Sequence, residues 1–170
     1  MTEAAGVLVA GIGNLFLGDD GFGPEVVRRL AGRHPLPPGV RVADYGIRGM
    51  HLAYDLLAPC AALVLVDALP GGVPGEIVVL EVSSGDLSGA DLGGGEFDGH
   101  GMSPVAMLAG VERLGGTLPP TYVVGCRAGA VAEGIGLSPP VAAAVPGAIA
   151  AVLALVHRLT AAEPARTRRS

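Results

Sequence analysis

Short apolar runs alternate along this chain with segments of helical spacing, and that alternation predicts most of the architecture. The run GVLVAGIG from Gly6 is β-branched and bounded by glycine, as suits a strand buried on both faces. Gly23 and Pro24 then open a helix, PEVVRRLAGRH. VRVADYG from Val40 predicts a second strand, GMHLAYDLLA from Gly49 a helix, and ALVLVDAL from Ala62 a third strand with Asp67 at its end. The turn residues of LPGGVPGE lead into a further strand, Ile77 to Val82, which so short a connection lets return antiparallel. Ser83 to Gly101 is rich in Gly, Ser and Asp without a period, which predicts a long loop of the kind that often carries function, and it holds His100. SPVAMLAGVERLG from Ser103 has helical spacing, and TYVVGC from Thr121 is another strand. A long apolar helix closes the chain, capped by Ser138, with Pro139 in its first turn and a kink near Pro146.

Alternating strands and helices with apolar strands predict a three-layer αβα sandwich of the α/β class, built on a mostly parallel (mixed) sheet of about five strands. No internal repeat or linker divides the chain. The expectation is a single domain over residues 1–162, with 163–170 a disordered tail. Ligands of such folds collect where the strands end, so the loops after the first three strands and the loop holding His100 are the places to look for chemistry.

Composition narrows the function. A formal net charge of −5 and a pI near 5.2 argue against a general nucleic-acid binder, because a phosphate backbone rewards basic surfaces. The one basic cluster, ARTRRS, reads as a frayed terminus. Cys60 and Cys126 form no CxxC pair and look structural, and Met1 to Ala10 has neither a charged leader region nor a cleavage site, so a cytoplasmic protein with free thiols is expected. Leu137 to Val156 carries no charge and has about the length a bilayer requires. Its alanine content and its three prolines, Pro139, Pro140 and Pro146, favour a buried helix instead.

The loop GIGNLFLGDDGFG, from Gly11, begins like a dinucleotide site. Gly11 and Gly13 follow a strand, a helix comes soon after, and Asp44 ends the second strand where a ribose-binding acid would sit. Phe16, however, takes the place of the third glycine, and Asp19 and Asp20 lie where a pyrophosphate would bind, so the loop repels phosphate. It attracts a cation. Asp67 and Asp44 at strand ends and His100 in its loop supply further ligands of a mixed oxygen and nitrogen kind, suited to a divalent transition metal. The bland reading of Asp19 is a helix N-cap, which we take as its role; for Asp20 capping and metal binding balance. A carboxylate beside a buried strand is costly, which favours function for Asp67. Taken alone, His100 reads as a solvated loop residue. A serine-hydrolase reading through His100 and Ser103 lacks a GxSxG elbow, and Ser103 before Pro104 is better explained as a helix cap.

Taken together, GIGNLFLGDDGFG, DYGIRGMHL, LVLVDAL, the loop histidine and GIGLSPPV before the last helix resemble the nickel–iron hydrogenase maturation endopeptidases, in order over nearly the whole chain. The resemblance implies an enzyme that removes the C-terminal extension of the hydrogenase large-subunit precursor after nickel insertion. It places the metal-contacting residues on Asp20, Asp67 and His100, with nickel supplied by the precursor and no organic cofactor. Asp20 stands where some relatives carry Glu. A three-ligand site leaves coordination positions open for the substrate. Two mechanisms stay open: a metal-activated water attacks the amide, or the metal only docks the precursor while a carboxylate such as Asp44 is the general base. Asp20, Asp44 and Asp67 are therefore the catalytic candidates, in an enzyme expected to be a monomer with no nucleic-acid or membrane partner. The alternatives are a related α/β peptidase acting on another protein and a non-catalytic module binding a nucleotide or small ligand.

Overall fold

The computed structural model describes residues 6–82 and 104–167. Five strands form one sheet: β1 (Val7–Ile12), β2 (Val40–Gly46), β3 (Ala62–Leu69), β4 (Ile77–Val82) and β5 (Thr121–Arg127). Their order across the sheet is β2-β1-β3-β5-β4, with β4 antiparallel to β5 and every other pairing parallel. The predicted antiparallel return of β4 is correct, but β4 pairs with β5 and forms the sheet's edge rather than folding back on β3. This is the expected three-layer αβα sandwich.

Helices α1 (Phe22–Arg33) and α4 (Pro139–Thr167) cover one face, and α2 (Gly49–Asp55) and α3 (Pro104–Arg113) the other. Strand alternation divides the core between them. Val7 and Val9 of β1 and Val64 and Val66 of β3 join Phe22, Val26 and Leu30 of α1 and a stripe of α4 that includes Val141, Val145, Ile149 and Val152. Leu8, Ala10, Leu63 and Leu65 point the other way, against Leu52 and Leu56 of the α2 region and Leu108 and Val111 of α3. The central strands β1 and β3 are apolar because both faces are covered. Helix α4 has the length and hydropathy of a membrane span, yet its valine stripe is packed on the sheet, with residues 141, 145 and 152 fully buried.

Two glycines bring α1 onto the sheet. A methyl group at Gly23 would overlap the carbonyl oxygens of Val66 and Ile12, and one at Gly11 would lie 2.7 Å from the Gly23 carbonyl oxygen. The start of α1 therefore sits directly on the carboxyl ends of β1 and β3. That contact carries the preceding acidic turn, Gly18–Gly21, to the end of β3.

Candidate functional site

The loop after β1 is folded by its own backbone and by Asn14. Asn14 Oδ1 accepts the Phe16 N–H at 2.9 Å, the Leu17 N–H donates to the Asn14 carbonyl, and the Asp20 N–H donates to the Leu17 carbonyl in a 3-10 turn. The chain comes back on itself at the end: Asp20 Oδ2 accepts the Asn14 N–H at 2.8 Å. Gly13, with φ of 146°, permits this closure, because any side chain there would run into the Asp20 carbonyl. The half-buried Asp20 carboxylate is thus held at the mouth of β1.

Asp67 lies at the end of β3 and is almost fully buried, with Oδ1 accepting the Ala68 N–H at 2.8 Å. Burial, and then the neighbouring charge of Asp20, push its carboxyl well above the usual carboxylate range; the Ala68 N–H only partly opposes them. A buried carboxyl beside a second acid is favoured in its protonated form or with a cation close by. Asp20 lies close enough to Asp67 for its charge to act on that carboxyl. His100 lies outside the described residues, and among the described residues no group of three His, Cys, Asp or Glu side chains could hold an ion.

Asp44 stands at the other side of β1. The parallel register sets it level with Gly11, itself level with Val66, one residue short of Asp67. Neighbouring strands are ~4.8 Å apart, so two spacings put about 10 Å of sheet edge between Asp44 and the end of β3. Its carboxylate is exposed, and Oδ1 accepts the Gly46 N–H at 2.9 Å. Arg48 reaches back over the same strand end, donating to the carbonyls of Asp44 and Tyr45. These groups open onto a surface groove of about 420 Å³ between β2 and α2, also lined by Arg41, His51 and Tyr54. At its base the Tyr45 hydroxyl donates to Asp55 Oδ2 at 2.6 Å, and burial together with that bond pushes the phenol up to about 12.

Asp19 departs from the N-cap expected of it. Neither the 3-10 turn nor α1 has a side-chain cap, and the fully buried Asp19 carboxylate reaches across to the loop after β5. There Oδ2 accepts the N–H groups of Gly129 and Ala130 at 2.7 and 2.8 Å and the Ser138 hydroxyl at 2.8 Å, while Oδ1 accepts the Ser138 N–H at 2.6 Å. Burial raises its carboxyl, but the four donors outweigh it and the net direction is down. Ser138 holds the cap position of α4 as expected, its carbonyl accepting the Ala142 N–H, but its hydroxyl is turned to this carboxylate. The pairing joins residues more than a hundred positions apart, so no local pattern announces it.

Comparison with known proteins finds relatives of the chain as a whole. A protein-family model described as hydrogenase maturation protease matches residues 24–155, well over half of the chain. The hydrogenase expression/formation protein HupD of Rhodobacter capsulatus is 33% identical over 85% of this chain and 68% of its own length. The match to HoxM of Azotobacter vinelandii, 38% identical, is confined to 45% of this chain and 37% of that protein. Among solved structures, the hydrogenase maturating endopeptidase HybD from Escherichia coli superposes with a TM-score of 0.72 at 26% identity, over 90% of this chain and 93% of its own. A hydrogenase 2 maturation peptidase from a Thaumarchaeota archaeon superposes at 0.66 with 30% identity, over 88% and 97%.

Proposed function

This chain belongs to the hydrogenase maturation protease family, and from that premise we infer that it is an endopeptidase that removes the C-terminal extension of a nickel–iron hydrogenase large-subunit precursor once nickel is in place. The observation that carries the reading is the buried Asp67 beside Asp20 at the carboxyl edge of the sheet. A carboxyl pushed up by burial and by a like charge gains most from a cation, because the cation cancels both effects at once. Asp20, Asp67 and His100 are the residues we assign to the nickel of the precursor. Asp20 is oriented by the Asn14 N–H and Asp67 by the Ala68 N–H, so both carboxylates meet the metal already aimed.

Nickel arrives as part of the substrate, and the enzyme needs no organic cofactor. Two carboxylates and one imidazole hold a free ion weakly, and the ligands already on the metal in the precursor complete its shell. That makes cleavage conditional on nickel insertion. Asp44 is the general base of this scheme: its carboxylate is fixed by the Gly46 N–H and is separated from the acid pair by a stretch of edge wide enough for an extended peptide. The enzyme acts in the cytoplasm as a monomer.

The test uses enzyme stripped of metal and compares nickel-loaded with nickel-free precursor, weighing the products. Loss of a short C-terminal piece from the loaded form alone is the expected result. Equal cleavage of both forms, or cleavage of a short peptide spanning the cut, would remove nickel as the recognition element. No cleavage of either form would favour a binding module.

A further inference from the structure

The loop after β1 and the loop after β5 are stitched into one unit beside the acid pair. The Gly18 N–H donates to the Gly134 carbonyl at 2.8 Å, the Gly134 N–H to the Phe16 carbonyl at 2.9 Å, and the Asp19 N–H to the Ala130 carbonyl at 2.9 Å, while Leu17 and Gly134 form a parallel bridge. The buried Asp19 carboxylate ties the same loops from beneath. The same two loops carry apolar side chains with little cover: Phe16 is 66% exposed and Ile135 is 80% exposed, and Leu15 and Val131 are about half exposed.

Large apolar groups are costly to leave in water, and contiguous ones on a rigid support mark a protein-binding surface. The backbone here is fixed in advance by seven hydrogen bonds, three between main chains and four to Asp19, so little ordering entropy remains to be lost on contact. Resting on the function proposed above, we infer that Leu15, Phe16, Val131 and Ile135 form a docking rim that seats an apolar surface of the folded precursor next to its metal pocket. The occupant follows from place and area. The rim shares its loop with Asp20, four residues beyond Phe16, so whatever presents a metal to the acid pair meets these side chains as well. Four partly exposed side chains fall well short of the ~800 Å² per partner of a stable dimer, so they suit a substrate that docks, is cut and leaves rather than a second copy of this chain.

The experiment compares wild type, the double variant Phe16→Ser/Ile135→Ser, and a control, Val79→Ser, which alters a half-exposed valine on the edge strand β4. Cleavage kinetics on nickel-loaded precursor, the Kd for that precursor and sedimentation are measured for each. Loss of the two most exposed anchors of the rim predicts a rise of roughly tenfold or more in KM and Kd for the double variant, with kcat within about twofold and Val79→Ser unchanged. An unchanged KM and Kd in the double variant, beside a wild type that cuts, overturns the rim and leaves the proposed function standing. A wild-type dimer that the double variant converts to monomer makes the patch a self-interface and also overturns it. A wild type that neither binds nor cuts the precursor sinks the functional reading, and the rim with it.

Discussion

Asp19 and Ser138, 119 positions apart, are joined twice: the Ser138 N–H donates to Oδ1 at 2.6 Å and its hydroxyl to Oδ2 at 2.8 Å. With Gly129 and Ala130 this makes a buried carboxylate that holds the loop after β5 against the loop carrying Asp20. Asp19→Ala leaves three backbone N–H groups without their acceptor and is expected to destabilise the fold by about 3–5 kcal/mol. Asp19→Asn keeps one oxygen but turns an amide donor toward N–H donors, so it too should melt well below wild type. Thermal melts of both variants check this. An Asn variant that melts with wild type would mean the four bonds contribute nothing net.

Acid titration separates Asp19 from Asp67, whose carboxyls move in opposite directions. The folded value of Asp19 lies below the ordinary 3.8, so its contribution is present above that value and is lost as pH falls through the lower folded one. The folded value of Asp67 lies well above 3.8, so the folded state holds its proton more tightly, and stability declines as pH rises from about 3.8 through the folded value. Asp67→Asn abolishes that decline. At neutral pH it is expected to melt at or above wild type, by ~2–4 °C for each kcal/mol of burial and repulsion relieved, while losing precursor cleavage. Melts from pH 3 to 8 beside a cleavage assay decide it, and an Asn variant that melts far below wild type would contradict the cost assigned to Asp67.

The sheet is legible because β1 and β3 are buried on both faces and their apolar runs have no other use. The placement of Asp20 and Asp67 at one edge follows from the same topology: each ends or follows a strand there. What the sequence hid were relations between distant segments. Asp19 has the local signature of a cap while its partners are distant, and Ser138 stands at the head of α4 as expected but gives its hydroxyl to Asp19. The position of β4 was half legible, its direction following from a short turn, its partner from the packing of β5. The groove formed by Arg48, Tyr45 and Asp55 depends on α2 lying over the end of β2, which no spacing reveals.

Asp44 provides the sharpest division between the two chemical routes. Its Oδ1 accepts the Gly46 N–H in a turn that Asn supports equally well, because the Asn side-chain oxygen is the same acceptor at the same place. Asp44→Asn therefore removes charge and proton affinity while keeping the turn, and its exposure means no core contact is lost. As the general base, Asp44 is worth about 10²–10⁴ in kcat, so the variant should cut nickel-loaded precursor at least a hundredfold more slowly, with KM and Tm close to wild type. Asp44→Ala should lose the turn as well and melt slightly lower. Single-turnover cleavage of saturating precursor reads the chemical step alone and keeps product release out of the comparison. If Asp44→Asn cuts at the wild-type rate, the base lies elsewhere, and activation of water at the metal proposed to meet Asp20 and Asp67 becomes the route that fits.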